Sequence, residues 1–197
     1  MGKRVWGGVA AMMAVSLLGR AALAEDVPPP PPPPGQAIGD ILDLYFDLCL
    51  GAFPDDAKVA EQVAKRSATP IAVADIPRFL HNDPGHGWIV KGQDGSNYAV
   101  TIEHPPYHAC AVRHLYAQAP DYWGTYQLAI GVWAASEHRS LQGLPVQTGA
   151  MNGVRIEAHM HQIPAADGKP AEGLMAITTP YANGPTELRL VRSIGPQ

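Results

Sequence analysis

The sequence lacks most of the patterns from which an activity is usually read. It has no Gly-x-Ser-x-Gly elbow, and Ser67, Ser96, Ser136, Ser140 and Ser193 stand in ordinary contexts, which disfavours a serine hydrolase. There is no His-Glu-x-x-His pair, no phosphate-cradling glycine loop and no dinucleotide-binding fingerprint. Cysteine is scarce: Cys49 and Cys110 are the whole complement, and their spacing is not the Cys-x-x-Cys of a redox centre. Positive charge is scarce as well, with 14 Lys and Arg against 18 Asp and Glu. No basic cluster exists, which argues against nucleic acid and anionic membrane surfaces as partners, since both need concentrated cations. No internal repeat is present.

One apolar stretch stands out, and it lies at the N-terminus. Lys3 and Arg4 precede a run from Val5 to Leu18, and Ala22-Leu23-Ala24 supplies the small-x-small pattern of a signal-peptidase site. The run is shorter than the roughly 20 apolar residues a membrane span requires and is broken by Gly7, Gly8, Gly19 and Arg20. The expectation is a signal peptide over residues 1–24, cleaved before Glu25, and a periplasmic or secreted product with no membrane insertion afterwards. Lys3, Arg4 and Arg20 would leave with it, so 11 basic side chains would remain against 18 acidic ones, a net charge of −7.

In an oxidising compartment an even cysteine count predicts one disulfide, Cys49–Cys110. The alternative is two buried free thiols. Closing a loop of about 60 residues stabilises a fold by about 4 kcal/mol in the chain-entropy description.

Residues 25–35 read as a linker, since Pro28 to Pro34 form an unbroken proline run that favours polyproline II and reaches about 22 Å. It reads as a stiff tether, or else as a ligand for a proline-recognising groove. Residues 36–197 then form a single domain of ordinary size. A helix is expected over 37–50, with Ile38, Ile41, Leu42, Tyr45, Leu48 and Cys49 on its buried side, Asp40, Asp43 and Asp47 on its solvated side, and Gly51 ending it. A second helix over 55–66 starts at Pro54-Asp55 and buries Val59, Ala60, Val63 and Ala64. Residues 88–91 and 98–104 flank Gly92-Gln93-Asp94-Gly95 as a hairpin. A strand over 108–115 puts Cys110 and Val112 on one side and Ala109, Ala111 and Arg113 on the other. A helix over 121–137 carries Trp123, Tyr126, Ile130 and Trp133 on one buried stripe. Strands follow over 154–163 and 173–179, with an edge strand over 187–192. Helices that precede and interrupt antiparallel hairpins make the fold α+β, an antiparallel sheet with N-terminal helices and one inserted helix.

The helix bearing Cys49, the segment Gly85-His86-Gly87-Trp88, a hairpin, the strand His108-Ala109-Cys110-Ala111-Val112, a helix and a closing hairpin ending Ile177-Thr178-Thr179 together resemble a family of small secreted proteobacterial α+β proteins. The resemblance spans about Ile41 to Pro180. It implies the fold and the disulfide, and no activity comes with it.

The residues that could carry chemistry are few. On the strand over 154–163, Val154, Ile156, Ala158 and Met160 should face the core, leaving Arg155, Glu157, His159 and His161 together on the opposite side. Glu157, His159 and His161 are thus candidate ligands for Zn or Cu, with His104, His108 or His114 as a possible third imidazole. The alternative is an ordinary polar strand face. His104 and His108, at a strand end beside the cysteine bridge, are candidates for ligand binding or general-base work, with Trp88 as an anchor of a binding turn or of the core. The favoured reading is a non-enzymatic exported domain that binds a protein or small ligand. The runner-up is a metal-binding protein or metal-dependent hydrolase built on the His-x-His strand.

Overall fold

Ile38, Ile41, Leu42, Tyr45, Leu48 and Cys49 recur at helical spacing, and in the computed structural model all six are buried. The structure describes residues 34–81, 83–151, 154–165, 168, 170–181 and 184–195. The expected signal peptide lies outside the described residues, as does the linker apart from its last two residues. Helix α1 runs Pro34–Leu44 and continues directly as a π-helical segment, Tyr45–Ala52. Gly51 does not end it in a left-handed cap as the sequence suggested. The helix stops one residue later because Pro54 lacks the N–H that the next turn would require.

Asp55 caps helix α2 (Asp56–Ala64), its carboxylate accepting the Lys58 N–H at 3.1 Å. Val59 and Val63 are buried, while Ala64 is exposed at the helix end. The acidic side of α1 is not uniformly solvated either. Asp40 is buried, and its Oδ2 accepts the Gln93 N–H at 2.9 Å, tying the helix to the hairpin turn. Asp47 pairs with Arg66.

The strands are β1 (Thr69–Pro70), β2 (Gly85–Lys91), β3 (Asn97–Glu103), β4 (Ala109–Tyr116), β5 (Gln142–Gly143), β6 (Gln147–Met151), β7 (Val154–Ile163), β8 (Glu172–Pro180) and β9 (Thr186–Ile194). They form one antiparallel sheet in the order β1-β2-β3-β4-β9-β8-β7-β5, with β6 also paired to β7. The expected hairpin is present: Gly92 N–H donates to Ser96 O and Gly95 N–H to Gly92 O, closing β2 onto β3. The strand expected at an edge is β9, and it is central, lying between β4 and β8. Charge on a strand often protects an open ladder, but here both ladders of β9 are occupied.

Helix α4 (Trp123–Ser136) joins α1 and α2 on one face of the sheet, and the main core lies between them. Tyr126, Ile130 and Trp133 form its buried stripe as expected, with Trp123 partly buried beside them. Cys49 and Cys110 form the expected disulfide inside this core, with Cα atoms 5.3 Å apart. Arg192 projects from β9 into the same layer. Its Nη1 donates to the carbonyl oxygens of Cys49, Leu50 and Phe53 at 2.8–3.1 Å, capping the end of the π-helical segment. Its Nε donates to Glu172 at 2.7 Å, Glu172 also pairs with Arg139, and the guanidinium lies over the Trp133 and Phe53 rings.

The opposite face of the sheet carries a second, smaller apolar cluster: Ala109, Ala111, Ile177 and Val191, with Ile156, Ala158 and Met175 against it. The segment leading from β1 through a short 3-10 turn (Val73–Asp75) and helix α3 (Pro77–Leu80) folds over one end of this face. It fits because Gly85 and Gly87 have no side chains. A Cβ at Gly85 would collide with Leu80 and the Ile102 carbonyl, and one at Gly87 with Ile71, Thr101 and the Val100 carbonyl.

Candidate functional site

The strand expected to hold a metal is β7, over the residues expected, but its two sides are exchanged. His159, His161 and Ile163 share a parity and face the helix layer, and Ile163 belongs to the main core. Ile156 and Ala158 instead join the smaller cluster on the opposite face. Alternation fixes which residues travel together, but not which side the helices cover.

The His159 ring packs on Trp123 with centroids 4.2 Å apart and edge-on to Tyr122. The His161 ring stacks on Trp123 with centroids 5.7 Å apart and planes inclined by 28°. His159 Nε2 and Glu157 Oε1 share a hydrogen bond at 2.8 Å. Burial, and then the neighbouring His159, lower the His161 pKa, and its Nδ1 is buried with no partner among the described residues.

The third histidine does not arrive. His104 pairs with His86, Nε2 to Nδ1 at 3.0 Å; His108 Nε2 meets Asp56 Oδ1 at 2.9 Å; His114 Nδ1 meets the Asn97 carbonyl at 2.9 Å. Among the described residues no three His, Cys, Asp or Glu side chains gather in a way that could hold a metal ion.

The second set, Trp88, His104 and His108, divides into two. His86 links the first two: it is hydrogen-bonded to His104 and edge-on to Trp88, with centroids 4.7 Å apart. Burial, and then His104, lower the His86 pKa. Trp88 is partly buried against the main core. His108 is engaged elsewhere, packing on Phe53 and holding Asp56 in the first turn of α2. That contact locks α2 beside the disulfide.

The strongest site lies on the other face, among residues not singled out from the sequence. Three rows cross it, read from the register. The first is Glu103, Ala109, Ser193, Gly173; the second is Thr101, Ala111, Val191, Met175; the third is Ala99, Arg113, Arg189, Ile177. Small residues occupy the middle of the first two rows, so larger neighbours stand around a trough. It encloses about 250 Å³ and is lined by Leu80, Thr101, Glu103, Tyr107, Arg113, Met175 and Arg189, with Ala109, Ala111, Val191 and Ser193.

Arg113 and Arg189 stand directly opposite one another across β4 and β9, where like charges repel. Arg113 is only 8% exposed. Its Nη2 donates to the Phe79 carbonyl at 2.6 Å, but its buried Nε has no acceptor among the described residues. Arg189 Nε is likewise buried without an acceptor among the described residues, and the carboxylates that act on its charge are Glu187 and Glu103. Burial, then the neighbouring Arg189, lower the Arg113 pKa to about 10; burial also lowers that of Arg189. The Thr101 hydroxyl, between the arginines and Glu103 along the sheet, is buried without a partner among the described residues. Burial, then Asp83, raise the Glu103 pKa.

A buried guanidinium normally finds a carboxylate or several carbonyls. Guanidinium donors of this kind suit a carboxylate or phosphate, which accepts two N–H bonds at once. The alternation of β4 did put Arg113 beside Ala109 and Ala111, but only the β4–β9 register brings Arg189 to it. No protein-family model, curated protein or solved structure matches this chain, so the trough stands on its own geometry.

Proposed function

We propose that this is a non-catalytic binding domain, matured in an oxidising compartment, that holds a small ligand by an anionic group between Arg113 and Arg189. The observation that carries the reading is the cross-strand arginine pair, both Nε atoms buried without an acceptor among the described residues. An anion bound there would relieve the repulsion and accept both donors. The trough is slightly below the usual range of small-molecule sites, roughly 300–1,000 Å³, which favours a ligand of a few to a dozen heavy atoms. The Cys49–Cys110 bridge supports an extracytoplasmic location, because such bonds persist where thiols oxidise.

The test is a thermal-shift and calorimetric titration of the purified protein with acetate, succinate and inorganic phosphate. At 100 times Kd a ligand adds about 2.7 kcal/mol, which raises Tm by roughly 5–11 °C for a domain of this size. Arg189→Met should abolish the shift. Equal responses from the wild type and Arg189→Met would refute the reading.

A further inference from the structure

The charge pattern along the trough is asymmetric, and the asymmetry selects among anions. At one end stand Arg113 and Arg189. At the other, four residues along β4 at the row of Ala109, stands Glu103, with Asp83 and His81 among the charges that act on it. Four residues of strand separate the two rows by about 13 Å at Cα, and the charges of Arg189 and Arg113 still act on Glu103 across that gap. Between them lie the Thr101 hydroxyl, buried and without a partner among the described residues, and the apolar floor of Ala111 and Val191.

Resting on the anion-binding reading, we infer that the ligand is a short zwitterion of dipeptide size, its carboxylate between Arg113 and Arg189 and its ammonium at Glu103. A plain carboxylic acid would leave Glu103 facing an uncharged tail inside a cavity already costly for a carboxylate. A single α-amino acid holds its two charges too close together to reach both ends. A dipeptide separates them by one peptide unit and places a polar group where the Thr101 hydroxyl stands. Small side chains suit the floor, because Ala109, Ala111 and Ser193 leave only a shallow trough. Burial and Asp83 make the Glu103 carboxylate easy to neutralise, and a ligand ammonium would restore its charge.

Calorimetry with dialanine, N-acetyl-dialanine and dialaninamide on the unmodified protein separates the parts. Dialanine should bind; removing its charged amine by acetylation should weaken binding at least tenfold, and so should removing its carboxylate as the amide. Glu103→Gln should bind dialanine and N-acetyl-dialanine with equal, weakened affinity. If the wild type binds N-acetyl-dialanine as tightly as dialanine, the ammonium site is wrong while the arginine site stands. If the amide binds as tightly as dialanine, the arginine site itself is wrong. If all three fail while succinate binds, the zwitterion is overturned and the anion reading survives. Because the peptide series is read on the wild type, the results that overturn the inference do not depend on a variant folding.

Discussion

Arg192 and Arg189 lie three residues apart on β9 and project to opposite faces of the same sheet. On the helix-covered face, Arg192 is embedded in a network: Nη1 on three carbonyls at the end of the π-helical segment, Nε on the Glu172 carboxylate, and the guanidinium over the Trp133 and Phe53 rings. On the other face, Arg189 stands beside Arg113, and both keep a buried Nε that no described residue accepts from. Burial alone therefore does not mark a functional arginine. Satisfaction separates the two: Arg192 completes a network of the fold, whereas Arg113 and Arg189 keep donors that no described residue answers.

The comparison breaks most readily at Arg192. Arg192→Met leaves Glu172 buried with only Arg139 and uncaps three carbonyls, so it should destabilise the fold by about 3–5 kcal/mol, read by urea denaturation. A loss below about 1 kcal/mol would mean that the network is not structural. Next in size is the disulfide. Reducing Cys49–Cys110 should remove about 4 kcal/mol and lower Tm by roughly 8–16 °C, and an unchanged melt would show that the bridge does not form in solution.

Arg189→Met should behave in the opposite way to Arg192→Met. Removing one of two facing like charges should change stability by less than about 1 kcal/mol, with the sign toward stabilisation, while anion binding disappears. Destabilisation comparable to that of Arg192→Met would erase the distinction between the two faces.

The smallest effect concerns the histidines beneath α4. The His161 pKa is lowered in the folded protein, so the unfolded chain binds more protons near and below pH 6.5. Its contribution to stability is complete above about pH 6.5 and is lost as pH falls through the lower folded value. His161→Phe should flatten that part of the pH–stability curve. NMR should also show the His161 ring titrating below 6.5, and a midpoint above that value would contradict the packing described.

The alternation of apolar residues carried much of the architecture. The buried stripe of α1 follows from Ile38, Ile41, Leu42, Tyr45, Leu48 and Cys49, and the β2–β3 turn from Gly92 to Gly95. The split of β4 into Cys110 and Val112 against Ala109, Ala111 and Arg113 is also local, because period and turn chemistry act over a few residues. The disulfide was legible from the even count and the expected compartment, and the structure bears the bridge out.

What the sequence alone determined, then, is which side chains travel together along each helix and strand. Only the tertiary structure decided which side of β7 the helices cover, that β9 is central, and that Arg189 meets Arg113 while His159 meets Trp123 instead of a third histidine. Those are pairings between segments far apart in the chain, set by sheet order and register, and a local pattern is the same whichever neighbour the strand acquires.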